Sequence, residues 1–283
     1  MSNDSPSQPI PQATFTMSPA FGGSTNPIPD VIGHYRIIRL LGEGGMGAVY
    51  EAEQETPRRT VALKIIKPGY GSPAHLRRFE QEAHALGRLQ HPGIAQMYEA
   101  GTADTGWGVQ PYFAMEFIRG KTLREYARDL NLTIEQRLEL VARIAEAVHH
   151  AHQRGLIHRD LKPGNIVVDE TGQPKILDFG VARLTDSDIE ATRQTDMGQL
   201  LGTLAYMSPE QVLADPQELN TCSDVYALGV MLYELLAGHL PYEINRTQIH
   251  DAIQTIRDTD PARLSSACSS HHPALRCRGS GRS

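Results

Sequence analysis

The spacing of apolar and polar positions changes character several times along this chain, and each change marks an element. Residues 1–32 are rich in Ser, Pro, Asn, Gln and Thr. Their few apolar positions show no period, so the stretch is predicted to be disordered, with a docking peptide as the alternative. Order begins near Tyr35. Residues 35–41 and 48–52 are predicted as strands flanking a Gly-rich turn, and residues 60–67 as a third strand. Ser72 and Pro73 then open a helix, with Leu76, Phe79, Ala83 and Leu86 on its apolar face. Glu82 lies beside that face, and Glu80 falls further round. Residues 95–100 and 112–117 read as two more strands, joined by a surface connection over 101–108. Thr133 starts a long helix, with Gln136 completing a capping box and Ile134, Leu138, Val141, Ala145 and Val148 forming its stripe; Gly155 ends it. Residues 166–168 and 175–177 form a hairpin around Thr171 and Gly172. Residues 225–236 are apolar on nearly every face and predict a helix buried all round. A last helix is expected over 247–258, with Ile249, Ile253 and Ile256 on a face.

Composition narrows the picture. The chain has 283 residues and a net charge of −6, with both signs mixed along its length, so it lacks the basic patch expected of a nucleic-acid binder. Its three cysteines, Cys222, Cys268 and Cys277, form no CxxC pair and predict a reducing compartment rather than a disulfide framework. No basic segment followed by an apolar core opens the chain. The longest apolar stretch, residues 225–237, contains Glu234 and is too short for a bilayer. The expected location is the cytoplasm.

The chemistry concentrates in His158-Arg159-Asp160-Leu161-Lys162-Pro163-Gly164-Asn165 and, further on, Asp178-Phe179-Gly180. A general base, a phosphate-facing cation and two oxygen ligands for a hard metal are thereby placed close together, which is what phosphoryl transfer requires. Gly42-Glu43-Gly44-Gly45-Met46-Gly47 precedes them; such a run alone is a weak signal, but here the order and spacing of all the segments agree. With Val61-Ala62-Leu63-Lys64, Ser208-Pro209-Glu210 and Asp224-Val225-Tyr226-Ala227-Leu228-Gly229, the stretch from Tyr35 to Pro261 resembles the eukaryotic-like Ser/Thr protein kinases of bacteria.

That resemblance implies a two-lobed α+β fold. A small, mainly antiparallel β lobe would span 35–118 and a larger, mainly helical lobe 119–263, between a disordered tail at 1–34 and an atypical tail at 264–283. It implies ATP and Mg²⁺ as cofactors, with Mn²⁺ as the alternative ion. The nucleotide would be enclosed by Leu41, Gly42, Gly44, Gly45, Gly47, Val49, Ala62, Lys64, Met115, Glu116, Ile118 and Val167, with Met115 as gatekeeper and Glu116–Ile118 as the hinge holding the adenine. Glu82 would orient Lys64. Asp160 would act as base, Lys162 would steady the γ-phosphate, and Asn165 and Asp178 would hold the metal. Thr203 would contact Asp160 and Lys162. Arg159 would read a phosphate on the activation loop, with Thr195 first and Thr192 second as its site; pairing with local carboxylates is the other reading.

Protein Ser/Thr side chains are the implied substrates, the chain itself in trans through a transient dimer included, with no nucleic acid and no membrane segment. The end of the chain departs from the pattern. Beyond Ser266 it is poor in apolar residues where the family would place two more helices, and no Arg in proper context offers itself to Glu210. The large lobe is therefore expected to be unfinished. The alternative function is a truncated, weakly active or inactive kinase-fold nucleotide-binding or scaffold protein.

Overall fold

The computed structural model describes residues 29–44, 47–66, 86–106, 108–179, 202–213, 220–242 and 249–265. A six-stranded antiparallel sheet comes first, in the order β1-β2-β3-β4-β6-β5. Its strands are β1 (Val31–Ile32), β2 (Tyr35–Gly44), β3 (Gly47–Gln54), β4 (Arg59–Ile66), β5 (Met97–Asp104) and β6 (Val109–Glu116). Strand β1 lies upstream of the expected boundary at Tyr35: Ile32 is buried and pairs with Tyr35. The predicted connection over 101–108 is also shorter than expected. The β5–β6 ladder continues through Gly101, which pairs with Tyr112, to Asp104, which pairs with Val109. Gly101 is no breaker here, because a Cβ at that position would sit about 3.1–3.2 Å from the Tyr112 ring and hydroxyl.

Strand alternation divides the sheet into two faces. Val61, Leu63 and Ile65 of β4 join Tyr112 and Ala114 of β6 in one apolar cluster with Tyr35, Tyr50 and Ala52. The intervening Ala62 and Ile66, with Phe113 and Met115, belong to the main core, so Lys64 lies on the face turned toward the rest of the molecule.

Strand β7 (Gly120–Thr122) leads into α1 (Leu123–Asp129) through a capping box of Thr122 and Glu125. Helix α2 (Ile134–His152) starts as expected, with the Gln136 amide N–H donated to Thr133 Oγ1 at 3.3 Å and the Thr133 N–H to Gln136 Oε1 at 2.9 Å. Its buried face is Leu140, Val141, Ile144, Ala147, Val148 and Ala151, which keeps Val141 and Val148 of the predicted stripe but not Ile134, Leu138 or Ala145. Ile134 and Leu138 stay 37% and 44% exposed. The partner decides this: α4 (Thr221–Ala237) packs on the Leu140–Ile144 side, presenting Ala227, Val230, Met231 and Leu235. Nor is α4 buried all round, since Val225 is 60% exposed. Between these helices, β8 (Ile166–Asp169) and β9 (Pro174–Ile176) form a three-stranded sheet with β7.

Helix α3 (Pro209–Val212) packs against α5 (Ile249–Asp258) around Leu204, Met207, Val212, Ala252 and Ile256. The Glu210 side chain, for which no Arg partner was expected, accepts from Ser223 Oγ at 2.7 Å. Burial pulls its carboxyl up, but its own N–H and the hydroxyls of Ser223 and Ser208 outweigh that and hold it below the usual carboxylate range. The expected C-terminal tail lies outside the described residues from 266 on.

Gly47 opens β3 under unusual steric constraint: a Cβ there would lie 1.9 Å from the Ile65 carbonyl oxygen. That neighbour is backbone and cannot swing aside. Gly47→Ala is expected to destabilise the fold by about 1–3 kcal/mol through overpacking, a loss that urea denaturation of variant and parent would measure.

Candidate active site

The loop between α2 and β8 is shaped by one carboxylate. Asp224, 1% exposed in the first turn of α4, accepts the His158 amide at 2.8 Å through Oδ2 and the Arg159 amide at 2.8 Å through Oδ1. His152 Nε2 at 2.7 Å completes its shell. Arg159 has a φ of +64°, a left-handed backbone that costs a non-glycine residue about 1–3 kcal/mol. It is held there at both ends, since its carbonyl accepts from Gln211 Nε2 at 2.8 Å. Gln211 is fixed in turn by the Ser208 amide, donated to its Oε1 at 3.0 Å. The Ser-Pro-Glu segment, the loop and α4 are thus one hydrogen-bonded unit.

His158 is fully buried and its two ring nitrogens have opposite partners. Nε2 faces the Leu177 carbonyl at 2.9 Å and must donate; Nδ1 faces the Asp160 amide at 3.2 Å and must accept. Only the neutral ring satisfies both. Burial pushes the imidazole below its ordinary value, outweighing the opposing pull of Asp224 and the Leu177 carbonyl.

Around this frame the polar side chains converge. Lys162 Nζ lies 3.0 Å from Asp160 Oδ2 and donates to Thr203 Oγ1 at 3.1 Å. Asn165 Nδ2 donates to the Asp160 carbonyl at 2.8 Å and to its Oδ2 at 3.0 Å. Asp178, with φ +49°, places Oδ2 2.8 Å from Lys64 Nζ. Asp160, Lys162, Asn165 and Thr203 therefore come together as a group, and Lys64 meets Asp178 across the cleft.

The other predicted positions fall around them. Leu41, Gly42 and Gly44 lie in β2, Gly47 and Val49 in β3, and Ala62 in β4, with Val49 paired to Lys64. Met115 and Glu116 end β6, Ile118 follows, and Val167 is buried in β8. Gly45, Glu82, Thr192 and Thr195 lie outside the described residues, so the expected Lys64–Glu82 pair does too.

A divalent cation fits these residues. Asn165 uses its amide nitrogen on Asp160, which leaves its oxygen as the ligand atom, and Asp178 offers carboxylate oxygen, as a hard ion prefers. Among the described residues no group of three or more His, Cys, Asp or Glu could hold a metal alone.

Sequence reasoning missed two features. Asp224 was read only as the start of a helix, where an acidic residue is ordinary; its total burial is invisible in the sequence. The second joins Arg124 of α1, Tyr206 and Glu234 of α4. Arg124 donates to the Tyr206 hydroxyl at 2.7 Å and pairs with Glu234, whose other oxygen takes that hydroxyl at 2.6 Å. These contacts bridge sequence separations of 28 to 110 residues, and no local pattern signals them.

A protein kinase domain model matches residues 35–274, and the chain belongs to the protein kinase family. Within it the resemblance is to the bacterial serine/threonine kinases. The chain is 37% identical over 235 residues to serine/threonine-protein kinase PknB of Mycobacterium leprae, covering 82% of this chain and 37% of that one. It is 39% identical over 213 residues to PknA of Mycobacterium tuberculosis (74% and 48%) and 38% over 215 residues to PrkC of Bacillus subtilis (75% and 32%). The chain thus spans half or less of these relatives' lengths. The crystal structure of the M. tuberculosis PknI kinase domain superposes with a TM-score of 0.63 at 27% identity, covering 86% of this chain and 84% of that one. Among the described residues no helix is long and apolar enough to cross a membrane.

Because folded His158 takes a proton less readily than the unfolded chain, whose value is near 6.5, protonation favours unfolding. Stability is expected to be highest above that pH and to fall as the pH drops from about 6.5 toward the lower folded value. Melting temperatures between pH 8 and pH 5 check this, and His158→Phe, though less stable throughout, is expected to show a flatter acid limb.

Proposed function

We propose that this chain transfers the γ-phosphoryl group of Mg-ATP to Ser or Thr hydroxyls of proteins. The observation that carries the reading is the convergence of Asp160, Lys162, Asn165 and Thr203, with Lys162 Nζ within reach of both Asp160 Oδ2 and Thr203 Oγ1. In this reading Asp160 takes the acceptor hydroxyl's proton while the new O–P bond forms. The bond from the γ-phosphorus to the bridging oxygen breaks, and ADP leaves. Lys162 steadies the transferred group, and Thr203 holds Lys162 and the acceptor side of the loop in register. Lys64 neutralises the α and β phosphates, oriented by Glu82. Mg²⁺, or Mn²⁺ in its place, held by Asn165 and Asp178, would neutralise charge that otherwise repels the nucleophile. Leu41, the glycines at 42, 44, 45 and 47, Val49, Ala62, Met115, the Glu116–Ile118 hinge and Val167 would enclose the nucleotide.

Regulation follows from Arg159. Its Nε is buried and has no hydrogen-bond partner among the described residues, so an anion arriving there would satisfy it. A phosphate on Thr195, or second on Thr192, adds about −1.5 to −2 charges and supplies that anion. The chain is proposed to place it there itself, one copy acting on another in a transient encounter.

Two outcomes are expected. Asp160→Asn should lower turnover by roughly 10²–10⁴-fold while nucleotide affinity is kept, measured by phosphate incorporation into a Ser/Thr protein substrate beside nucleotide titration. Near-normal transfer by that variant would remove Asp160 from its role; nucleotide binding without any transfer by the parent chain would favour the scaffold reading. After incubation with Mg-ATP, mass spectrometry is expected to find phosphate on Thr195 or Thr192. Phosphate only outside residues 186–201 would refute the autophosphorylation reading.

A further inference from the structure

The scheme above places Glu116 in the hinge but gives its carboxylate no role of its own, and Lys175 enters only as a strand residue. The two meet across the molecule. Lys175 Nζ lies 2.7 Å from Glu116 Oε1, with side chains 17% and 26% exposed. The second oxygen, Oε2, accepts the Gln96 amide at 3.2 Å, and the Glu116 amide donates back to the Gln96 carbonyl at 2.8 Å. Both carboxylate oxygens and the backbone N–H are therefore engaged, which fixes the side chain at two points and the residue at three.

The position of Lys175 gives the contact its meaning. In β9 it pairs with Val167 of β8, the expected floor of the nucleotide slot. The next residue, Ile176, donates to the Gly93 carbonyl at 2.9 Å and accepts from the Ala95 amide at 2.9 Å. The Leu177 amide then donates to the Asn165 carbonyl at 2.8 Å, and Asp178 follows. One short strand thus touches the floor, the metal-ligating loop and the segment leading into β5. The Lys175–Glu116 pair attaches that strand to the end of β6, where the hinge begins. A surface ion pair contributes little. This one is mostly withdrawn from water and its acceptor is held by a second donor, so it transmits position from one wall of the slot to the other.

We propose that Lys175 is a positioning residue for nucleotide binding: through Glu116 it sets the spacing between the hinge and the Val167 floor. This rests on the nucleotide site proposed above. Loss of the pair should widen or tilt the slot and weaken the nucleotide, with less effect on the acceptor side, where Asp160 and Thr203 are held by α4 and Lys162.

The test is calorimetric titration of the whole chain with Mg-ADP, together with steady-state kinetics. Lys175→Met is expected to weaken Mg-ADP roughly three- to thirtyfold, within the range of coupling between groups in contact. The KM for Mg-ATP should rise in parallel, and the KM for the protein substrate should change by less than about twofold. Lys175→Arg, which keeps the charge and the reach, should restore most of the affinity. Adding Glu116→Gln to Lys175→Met should cost little more, because the pair is already broken. A merely structural role would lower the melting temperature without this split. Equal Mg-ADP affinity in the parent and in folded Lys175→Met overturns the proposal. Should Lys175→Met fail to fold, Glu116→Gln alone decides, since its single amide oxygen can still accept from Gln96 while the NH2 that replaces the other oxygen cannot accept from Lys175; unchanged affinity there overturns it as well. A parent chain that binds Mg-ADP but transfers no phosphate contradicts the kinase reading and leaves the affinity comparison to decide on Lys175. One that binds no nucleotide overturns both.

Discussion

The loop that carries Asp160 depends on a single buried carboxylate. Asp224 collects two consecutive backbone amides and an imidazole, and the amides are those of the residues before the proposed base. An ionised acceptor at a helix N-terminus is doubly favoured: its donors are charge-assisted or dipolar, and the helix field supports it. Without it, a left-handed arginine and a buried histidine would lose the hydrogen bonds that offset their cost. The apolar packing of α2 on α4 brings the carboxylate to the loop. The polar network then uses that proximity to define one backbone conformation.

The division of the sheet into two faces is the second constraint. One face carries a closed apolar cluster of its own, and the other faces the main core and presents Lys64 between Ala62 and Ile66. A one-residue slip of β4 against β3 would exchange these faces and remove Lys64 from Asp178 altogether. The steric contact between Gly47 and the Ile65 carbonyl lies on that same ladder, where Gly47 is aligned with Ile66. The glycine that a phosphate loop would require is therefore also required by the strand pairing beside it.

Much of this was legible in the sequence, and the parts that were not share a cause. The strands around the Gly-rich turn and the Thr133 capping box are specified by neighbours in the chain, so local pattern sufficed; the His158–Asn165 loop is legible as a motif, while its conformation is set from afar by Asp224. The face of α2 was misread because Ile134 and Leu138 are as apolar as the residues buried in their stead. Only the position of α4 distinguishes them. The β5–β6 ladder runs further than expected, into the 101–108 stretch taken for a surface connection, and Gly101 there makes room for the Tyr112 ring. Ser223 as the partner of Glu210, Gln211 as the clamp on Arg159 and Lys175 as the partner of Glu116 are pairings between distant segments. Their residue types are common, and burial gives them their roles.

The long reach of Asp224 also bears on how the protein is made. It lies 65 and 66 positions after the amides it binds. During synthesis the loop that carries Asp160 emerges well before the helix that will shape it. Contacts of such separation form late, after the cost of closing the intervening chain has been met. A nascent chain that has emerged through Thr203 therefore holds the groups proposed for chemistry without the loop geometry that Asp224 defines. That geometry arrives with α4, and a chain stopped before that helix holds the proposed catalytic residues on a loop that nothing yet shapes.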